Sequence, residues 1–421
     1  MQKIRTIYGV TEYRLPNGLR VLYREIKTSP VVAVCVTYHV GSRNEAPGHT
    51  GATHILEHLM FKDSKKFNKK NGKSITDHLE YLGASMNATT SLDRTNYYEL
   101  LPAERLAEAL AMEADRMRGS LFTDADLLSE MPVVRNEYER SRNNPYEMLN
   151  ETVMETTFST HPYRIPTIGT KEDIEHSTAA TLRTFYNTFY WPNNATLAVF
   201  GDARRPDLEA MVVKYFGSIP SSPNSIPTMN TVEPAQMKHR TCTIQKPVGI
   251  SIVELAYKTP PCNHEDYPAI ATLVTILAGG FSARLQRSLV DSGLASDIHI
   301  MLLPTIDPSS TSLIVSLAGK TKPETVLSMI RAEIASITKD GVTHPELRSA
   351  KTRILGQLSQ ERDGAMNEIS TVSEAIAAGD WTLAYRGETQ IKAVTRKDVQ
   401  RVARTYCIQS QETAGILINT L

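Results

Sequence analysis

The chain has 421 residues, of which 41% are hydrophobic and 22% are charged, a composition typical of a soluble globular protein. This length exceeds one ordinary core and predicts about two to four domains. Lys plus Arg and Asp plus Glu number 46 each, so the zero formal charge gives no reason to expect a nucleic acid or an anionic membrane as a partner.

The cysteines and the start of the chain bear on the compartment. Four cysteines lie far apart without a C-x-x-C motif, which disfavours both a cysteine zinc site and a disulfide framework. The first residues lack an apolar targeting core, and no run approaches the ~18 apolar residues of a membrane span. We therefore expect a cytoplasmic protein without a membrane span, or a periplasmic one if a signal peptide has been removed.

The first fifty residues predict strands and a loop. Residues 9–14 and 19–23 read as strands on either side of Asn17-Gly18, a turn pair typical of a β-hairpin. Residues 31–40 form a longer β-branched run with buried character, and residues 41–51, which contain Gly and Pro, predict a loop. This loop leads into the most informative stretch of the chain.

That stretch is His54-Ile55-Leu56-Glu57-His58, an H-x-x-E-H motif. On a helix with about 100° per residue, His54, Glu57 and His58 leave the same face. Two imidazoles one turn apart suit tetrahedral Zn²⁺, and a carboxylate that does not bind the metal can take a proton from water. The motif therefore predicts a zinc site with Glu57 as general base, as in inverted zincins. The alternative is two core histidines and a solvated glutamate on an amphipathic helix.

The elements that follow mix helices and strands. Helices are expected at residues 74–82, 103–117 and 124–158, and strands at residues 83–90, 95–100 and 195–200. The long helix is expected to be interrupted or restarted at Pro132. Hairpins and strands separated by helices indicate an α+β domain whose helices cover one face of a mainly antiparallel sheet.

The second half of the chain resembles the first. Residues 217–236 are rich in Pro, Ser and Asn and predict a linker. Residues 31–38 resemble residues 249–256, and residues 194–201 resemble residues 413–420, at offsets of 249 − 31 = 218 and 413 − 194 = 219. Two nearly equal offsets predict an internal duplication, with a zinc-bearing domain at residues 1–216 and a homologous domain at residues 237–421.

The duplication has a consequence for the metal site. Adding the first offset to His54, Glu57 and His58 leads to Thr272, Thr275 and Ile276, which cannot reproduce the motif. The second domain is therefore expected to keep the helix and to lack the metal chemistry.

A zinc ion held by two histidines needs a third protein ligand. Glu130, Glu137 and Glu139 offer three carboxylates in one segment. In Val133-Val134-Arg135-Asn136-Glu137 the chain resembles the M16 metallopeptidases, the group of pitrilysin, insulysin and mitochondrial processing peptidase. The resemblance implies that Glu137 is the third ligand and that Glu130 supports catalysis from outside the first shell of ligands. Glu139 is expected to be solvated.

Four other segments carry the same resemblance: Gly41-Ser42-x-x-Glu45, Asn87-Ala88-x-Thr90, Thr95-Asn96-Tyr97-Tyr98 and Gly279-Gly280-Phe281-Ser282-Ala283-Arg284-Leu285. It implies two duplicated αβ domains, each a mainly antiparallel sheet covered by helices, that form half of a clamshell chamber around an unfolded peptide. It also implies that the peptide adds as a strand at Met86, Asn87, Ala88 and Thr89. The alternative for these residues is an ordinary internal strand.

One departure from the family concerns substrate binding. Active relatives place an Arg and, seven residues later, a Tyr after the glycine motif, where the pair helps hold the peptide. The matching positions here are Leu289 and Ser296, while Arg284 belongs to the glycine motif and Arg287 points to a different helix face. We therefore expect a heterodimer with a homologous subunit that lacks H-x-x-E-H and carries the Arg/Tyr pair.

Together these features predict a zinc-dependent endopeptidase that cleaves unfolded peptides or presequences in a closed chamber. Two alternatives remain open. One is a non-catalytic scaffold subunit, like the processing-peptidase-related core proteins of respiratory complexes, although those have a degraded metal motif. The other is a zinc hydrolase that acts on a small molecule.

Overall fold

Two β-sheets organise the chain. The computed structural model describes all 421 residues, which form two compact units. Unit 1 contains residues 1–138, 166–230 and 361–377. Unit 2 contains residues 139–165, 231–360 and 378–421.

Strands and helices alternate along most of the chain. The strands are β1 (Gln2–Ile7), β2 (Val10–Arg14), β3 (Arg20–Glu25), β4 (Val31–Tyr38), β5 (Ser85–Thr90), β6 (Thr95–Pro102), β7 (Ala195–Gly201), β8 (Arg240–Lys246), β9 (Ile252–Thr259), β10 (Ala295–Leu302), β11 (Ser309–Leu317) and β12 (Glu412–Asn419). The helices are α1 (Ala52–Leu59), α2 (Ile75–Tyr81), α3 (Leu106–Gly119), α4 (Asp124–Asn143), α5 (Pro145–Thr157), α6 (Lys171–Glu175), α7 (Ala179–Phe189), α8 (Arg205–Phe216), α9 (Tyr267–Ala278), α10 (Pro323–Asp340), α11 (His344–Gln360), α12 (Ala365–Ala377), α13 (Leu383–Ala393) and α14 (Arg396–Tyr406). None of these helices combines the length and the apolar composition that a membrane crossing requires.

The two sheets share one topology. The seven-stranded sheet of unit 1 has the order β1-β2-β3-β7-β4-β6-β5, and the five-stranded sheet of unit 2 has the order β10-β11-β9-β12-β8. Read in reverse, the order of the second sheet is β8-β12-β9-β11-β10, and these strands correspond one by one to β3-β7-β4-β6-β5 of the first sheet. In each sheet only the pair β3–β7 or β8–β12 is parallel, and the other pairs are antiparallel. The predicted duplication and the mainly antiparallel α+β architecture are thereby confirmed, and β1 is an addition that the sequence did not predict.

Strand β4 is buried on both faces. Val34 and Val36 pack in the main core of unit 1 with residues of α1, α3, α7 and α8. On the other face, the Thr37 hydroxyl lies 2.8 Å from the Ser373 hydroxyl of α12, which also accepts a hydrogen bond from Asn96 on β6. The prediction that helices cover one face was therefore incomplete. A strand covered on both faces explains the continuous apolar run in its sequence.

Helix α5 covers the sheet of unit 2. Leu149 and Val153 pack against Ile252 and Leu417. Gly415 on β12 lies directly beneath the helix, where a Cβ would be 2.3 Å from Val153 Cγ2 and 3.0 Å from Leu149 Cδ1. The close approach of α5 to β12 therefore requires glycine at this position.

The composition of the two units does not follow the chain order throughout. Helix α5 precedes residue 217 and belongs to unit 2, whereas α12 follows residue 236 and belongs to unit 1. Neither a strand nor an α-helix lies between Phe216 and Arg240. The predicted ranges 1–216, 217–236 and 237–421 are consecutive along the chain, whereas each compact unit combines several segments. As boundaries of independently folding domains, these ranges stay a prediction.

The interruption predicted at Pro132 is wrong. Helix α4 continues through Pro132, whose ring is exposed. The helix tolerates the missing N–H because Leu127 and Val134 are buried and anchor its other side. The break falls instead at Asn144, where a new helix begins and the side-chain oxygen accepts a hydrogen bond from Tyr146 N at 3.0 Å.

The contact between Gly415 and α5 predicts that Gly415→Ala destabilises the protein. The new methyl group would overlap Val153, whose β-branched side chain cannot rotate away easily, so we expect a loss of about 1–3 kcal/mol in the free energy of unfolding. Urea unfolding of the variant measures this loss. The double variant Gly415→Ala/Val153→Ala should lose less free energy of unfolding than the two single variants lose in sum, because the methyl group that the new Cβ would overlap is gone. Wild-type stability of Gly415→Ala would contradict the packing described.

Candidate metal centre

Helix α1 begins at a turn that requires glycine. Gly51 precedes the helix with φ of 86°, and a Cβ there would lie 2.4 Å from the carbonyl oxygen of Ile168. The carboxylate of Glu45 accepts hydrogen bonds from Gly51 N at 2.8 Å and from Thr53 N at 2.7 Å. It therefore satisfies amides that a helix start leaves without partners. Burial raises the pKa of Glu45 to about 7.

The two faces of α1 differ in character. Ile55, Leu56 and Leu59 are fully buried in the core of unit 1. His54 and His58 lie on the opposite side, with ring centroids 4.8 Å apart. The apolar residues thus fix the helix on the sheet and leave the two imidazoles mostly buried at its outer face.

Helix α4 brings the third group to this face. Glu137 Oε2 lies 3.5 Å from His54 Nε2 and 3.4 Å from His58 Nε2. One ligand atom from each of the three residues falls within 4.8 Å of the others. His54, His58 and Glu137 therefore lie together as a possible three-ligand set, although 79 residues (137 − 58) separate the glutamate from the motif.

This arrangement fits a zinc ion. Tetrahedral zinc with bonds of about 2.0–2.1 Å holds its ligand atoms about 3.3–3.4 Å apart, close to the two distances from Glu137. In addition, Glu137 Oε2 is buried and has no hydrogen-bond partner. A buried carboxylate oxygen without a partner is energetically costly, and a divalent cation among the three ligand atoms would remove that cost.

Burial also sets the protonation of the neighbouring groups. It lowers the pKa of His54 to about 4, with a smaller contribution from His58, so the His54 imidazole is neutral near pH 7 and can bind a metal. Burial raises the pKa of Glu57. The Thr90 hydroxyl donates a hydrogen bond to Glu57 Oε2 at 2.5 Å, which opposes that rise. Glu57 is not part of the three-ligand set and is available for proton transfer.

Glu130 lies behind one of the imidazoles. Its Oε2 is 3.4 Å from His58 Nδ1, and its Oε1 forms an ion pair with Lys62 Nζ. A carboxylate at this position favours a proton on Nδ1 and leaves Nε2 free for a metal. Glu139, the remaining carboxylate of the segment, is exposed.

The residues expected to bind substrate form the edge of the sheet in unit 1. Strand β5 is the last strand and pairs only with β6, so the ordinary internal strand is excluded as an alternative. Ala88 is buried, and its amide donates to the side chain of Asn87 at 2.9 Å. The same strand contributes Thr90 to Glu57. The free edge of β5 and the proposed base are therefore directly connected.

Unit 2 lacks a corresponding metal site. The hydroxyls of Thr272 and Thr275 on α9 donate to carbonyls of their own helix, at Pro268 O and Ala271 O. Ile276 is buried. The group formed by the two histidines and Glu137 is the single His/Cys/Asp/Glu cluster of suitable geometry in the 421 residues.

The two positions that depart from the family pattern have other surroundings. Leu289 is buried in the core of unit 2, and Ser296 is exposed on β10. Arg284 forms an ion pair with Glu346 at 2.7 Å, and Arg287 is exposed. Neither arginine lies at the matching position, and Arg284 is already bound within the unit.

Sequence reasoning missed three supporting residues. Glu45 and Thr90 belong to segments that resemble the family, so a signal for them existed without an indication of what they contact. Lys62 had no such signal, because its partner Glu130 is distant in sequence and comes close only through the packing of α4 against α1.

Comparison with known proteins identifies the family. The model for insulinase, peptidase family M16, matches residues 20–171, and the model for the peptidase M16 inactive domain matches residues 176–354. The zinc protease PqqE of Helicobacter pylori is 30% identical over 408 residues, covering 96% of this chain and 91% of that protein. The chain belongs to peptidase family M16. The uncharacterized zinc protease YmxG of Bacillus subtilis is 25% identical and covers 86% of each chain.

Solved structures agree with this M16 assignment. A protease from Helicobacter pylori superposes with a TM-score of 0.91 at 29% identity, covering 97% of this chain and 98% of that one. The first half of the periplasmic protease PqqL from Escherichia coli has the same fold, with a TM-score of 0.79 at 20% identity over 99% of this chain and 93% of that one. PqqE and YmxG are named zinc proteases, and this M16 chain has one group of two histidines and a glutamate whose geometry could hold a metal ion.

The three-ligand set predicts a specific loss of zinc binding. We expect Glu137→Gln to weaken zinc binding by more than about 100-fold, because changes outside the first shell of ligands already cost 10–100-fold. Competition with a chromogenic zinc chelator measures the dissociation constant. The matched control is Glu139→Gln on the same helix, which should bind zinc as wild type does. Equal affinities of the two variants would show that Glu137 is not a ligand.

Proposed function

We propose that this M16 chain is a zinc-dependent endopeptidase that cleaves unfolded peptides or presequences. The observation that supports it most is the buried, unpartnered oxygen of Glu137 at 3.5 and 3.4 Å from the Nε2 atoms of His54 and His58. Glu57 on the same face provides a proton acceptor outside this set. A site with both features suits hydrolysis of an amide by activated water.

The residues of the chain have distinct roles in this mechanism. His54, His58 and Glu137 would hold the zinc ion, which when bound supplies Lewis acidity that polarises a carbonyl and makes water more acidic. Glu57 accepts a proton from the attacking water and returns it to the leaving amine. Burial raises the pKa of Glu57, which makes its carboxylate a stronger proton acceptor than an exposed one. Thr90 holds Oε2, which leaves Oε1 for the transfer.

The substrate would bind as an additional strand. The free edge of β5 at Met86, Asn87, Ala88 and Thr89 offers main-chain groups that can pair with an extended peptide. Main-chain pairing accepts many sequences and requires an unfolded segment.

The proposed metal-bearing domain spans residues 1–216, and the proposed homologous domain spans residues 237–421. The cytoplasmic location stays a prediction.

The role of Glu57 predicts that Glu57→Gln keeps zinc and loses cleavage. The amide has nearly the same shape but cannot accept the proton, so kcat should fall by about 10²–10⁴-fold. A quenched fluorescent peptide measures cleavage, and the chelator competition checks that zinc affinity is unchanged. Cleavage near the wild-type rate would defeat the proposal. A wild-type chain that binds no zinc would favour the scaffold alternative.

The missing Arg/Tyr pair predicts a divided active site. Leu289 and Ser296 cannot hold a peptide as that pair does, so we propose a heterodimer with a homologous M16 subunit that carries the pair. A substrate misplaced by about 1 Å can cost ~10²-fold in rate, and adding this subunit to the isolated chain should restore about that factor. The control is the same subunit with its Arg and Tyr replaced by Leu and Ser. Full activity from the isolated chain would sink the heterodimer.

A further inference from the structure

Lys62 stands beside the metal centre without a role in the mechanism above. The backbone continues to turn past the end of α1, with Phe61 N donating to His58 O at 3.2 Å and Lys62 N donating to Leu59 O at 3.1 Å. These bonds join residues three apart, so the chain stays tightly turned beyond Leu59 and Lys62 remains close to the end of α1. Its ammonium group pairs with Glu130, whose other oxygen lies 3.4 Å from His58 Nδ1.

The three groups form a short chain of contacts that ends at a proposed ligand. The side chain of Glu130 is 16% exposed, that of His58 is 17% exposed and that of Lys62 is 27% exposed, so water screens them only partly. The Glu130 carboxylate would be unfavourable here without a counter-charge. Two further carboxylates lie nearby, Glu57 on α1 and Glu137 on α4. Lys62 is the cation that contacts Glu130.

We propose that Lys62 is a positioning residue for the metal centre, which acts through Glu130 on His58. The ammonium group holds the Glu130 carboxylate in place. That carboxylate accepts the Nδ1–H of His58, fixes the tautomer and leaves the lone pair of Nε2 directed at the metal. The inference rests on the proposed zinc site.

The test measures zinc affinity in the full-length chain by chelator competition at one fixed pH. Lys62→Met removes the charge and keeps most of the side-chain length, and we expect about 10-fold weaker zinc binding, at the lower end of the range for residues outside the first shell of ligands. Lys62→Arg keeps the charge and should stay within about threefold of wild type. The matched control is Lys66→Met, an exposed lysine of the same segment, which should leave the affinity unchanged.

A double variant separates positioning from general damage. If Lys62 acts through Glu130, then adding Lys62→Met to Glu130→Gln should change the zinc affinity by less than about twofold, because the pathway is already broken. Independent, multiplying losses would overturn the proposal. Unchanged or tighter zinc binding by Lys62→Met would also overturn it.

Thermal unfolding and zinc binding by the wild-type chain separate a positioning role from a loss of folding stability. Loss of the counter-charge of Glu130 should lower the thermal unfolding midpoint of the metal-free Lys62→Met variant, but the variant should stay folded at the assay temperature. A fraction of unfolded chain large enough to account for the loss of zinc affinity would overturn a positioning role. Wild-type chain that binds no zinc would overturn both this inference and the proposed function. Zinc binding without peptide cleavage, both by the isolated chain and after the homologous subunit is added, would overturn the proposed activity and leave the zinc site standing, and the variant series would still decide the role of Lys62.

Discussion

The apolar side of α1 packs into the core of unit 1 through Ile55, Leu56 and Leu59, and this packing determines where the groups of the metal centre lie. Burying each of these side chains contributes about 1.5–3 kcal/mol, which together outweighs the cost of holding two imidazoles partly out of water. The helix cannot rotate without exposing that face. His54 and His58 are therefore held on the side that faces Glu137 of α4.

The second constraint is the concentration of carboxylates on this face. Glu57, Glu130 and Glu137 converge on two imidazoles, and burial makes the negative charge of Glu57 costly. Two of the three carboxylates have a group that compensates their charge. Thr90 donates to Glu57, and Lys62 pairs with Glu130. Glu137 Oε2 has no hydrogen-bond partner. Glu137 is therefore the carboxylate whose charge a bound cation would balance. The electrostatics of the site thus favour the same metal ligand as its geometry does.

The duplication shows how one topology can have two different uses. Five strands have the same order and the same orientations in both sheets, yet His54, Glu57 and His58 of α1 correspond to Thr272, Thr275 and Ile276 of α9. The two threonines bond to their own helix. The family assignment and the shared topology thus describe the scaffold. The chemistry depends on a few side chains on one helix face and on the segment of α4 that reaches it.

The sequence alone determined the properties that depend on local spacing. The H-x-x-E-H motif gives a helix face with two imidazoles and a carboxylate because the period of the α-helix is fixed. The strand at residues 31–38, the hairpin at Asn17-Gly18 and the repeat of the fold followed from short-range patterns. Glu137 was predicted as the third ligand through a family resemblance, because no periodicity links it to the motif across 137 − 58 = 79 residues.

Only the tertiary structure decided what depends on contacts between distant segments. It showed that α12 covers β4, that α5 packs on the second sheet, and that Lys62 meets Glu130. It also corrected the break expected at Pro132, since burial of one side of α4 outweighs one missing hydrogen bond. Propensity and spacing describe neighbours along the chain. Packing energy is shared among residues far apart in sequence, so these contacts are decided when the whole unit folds.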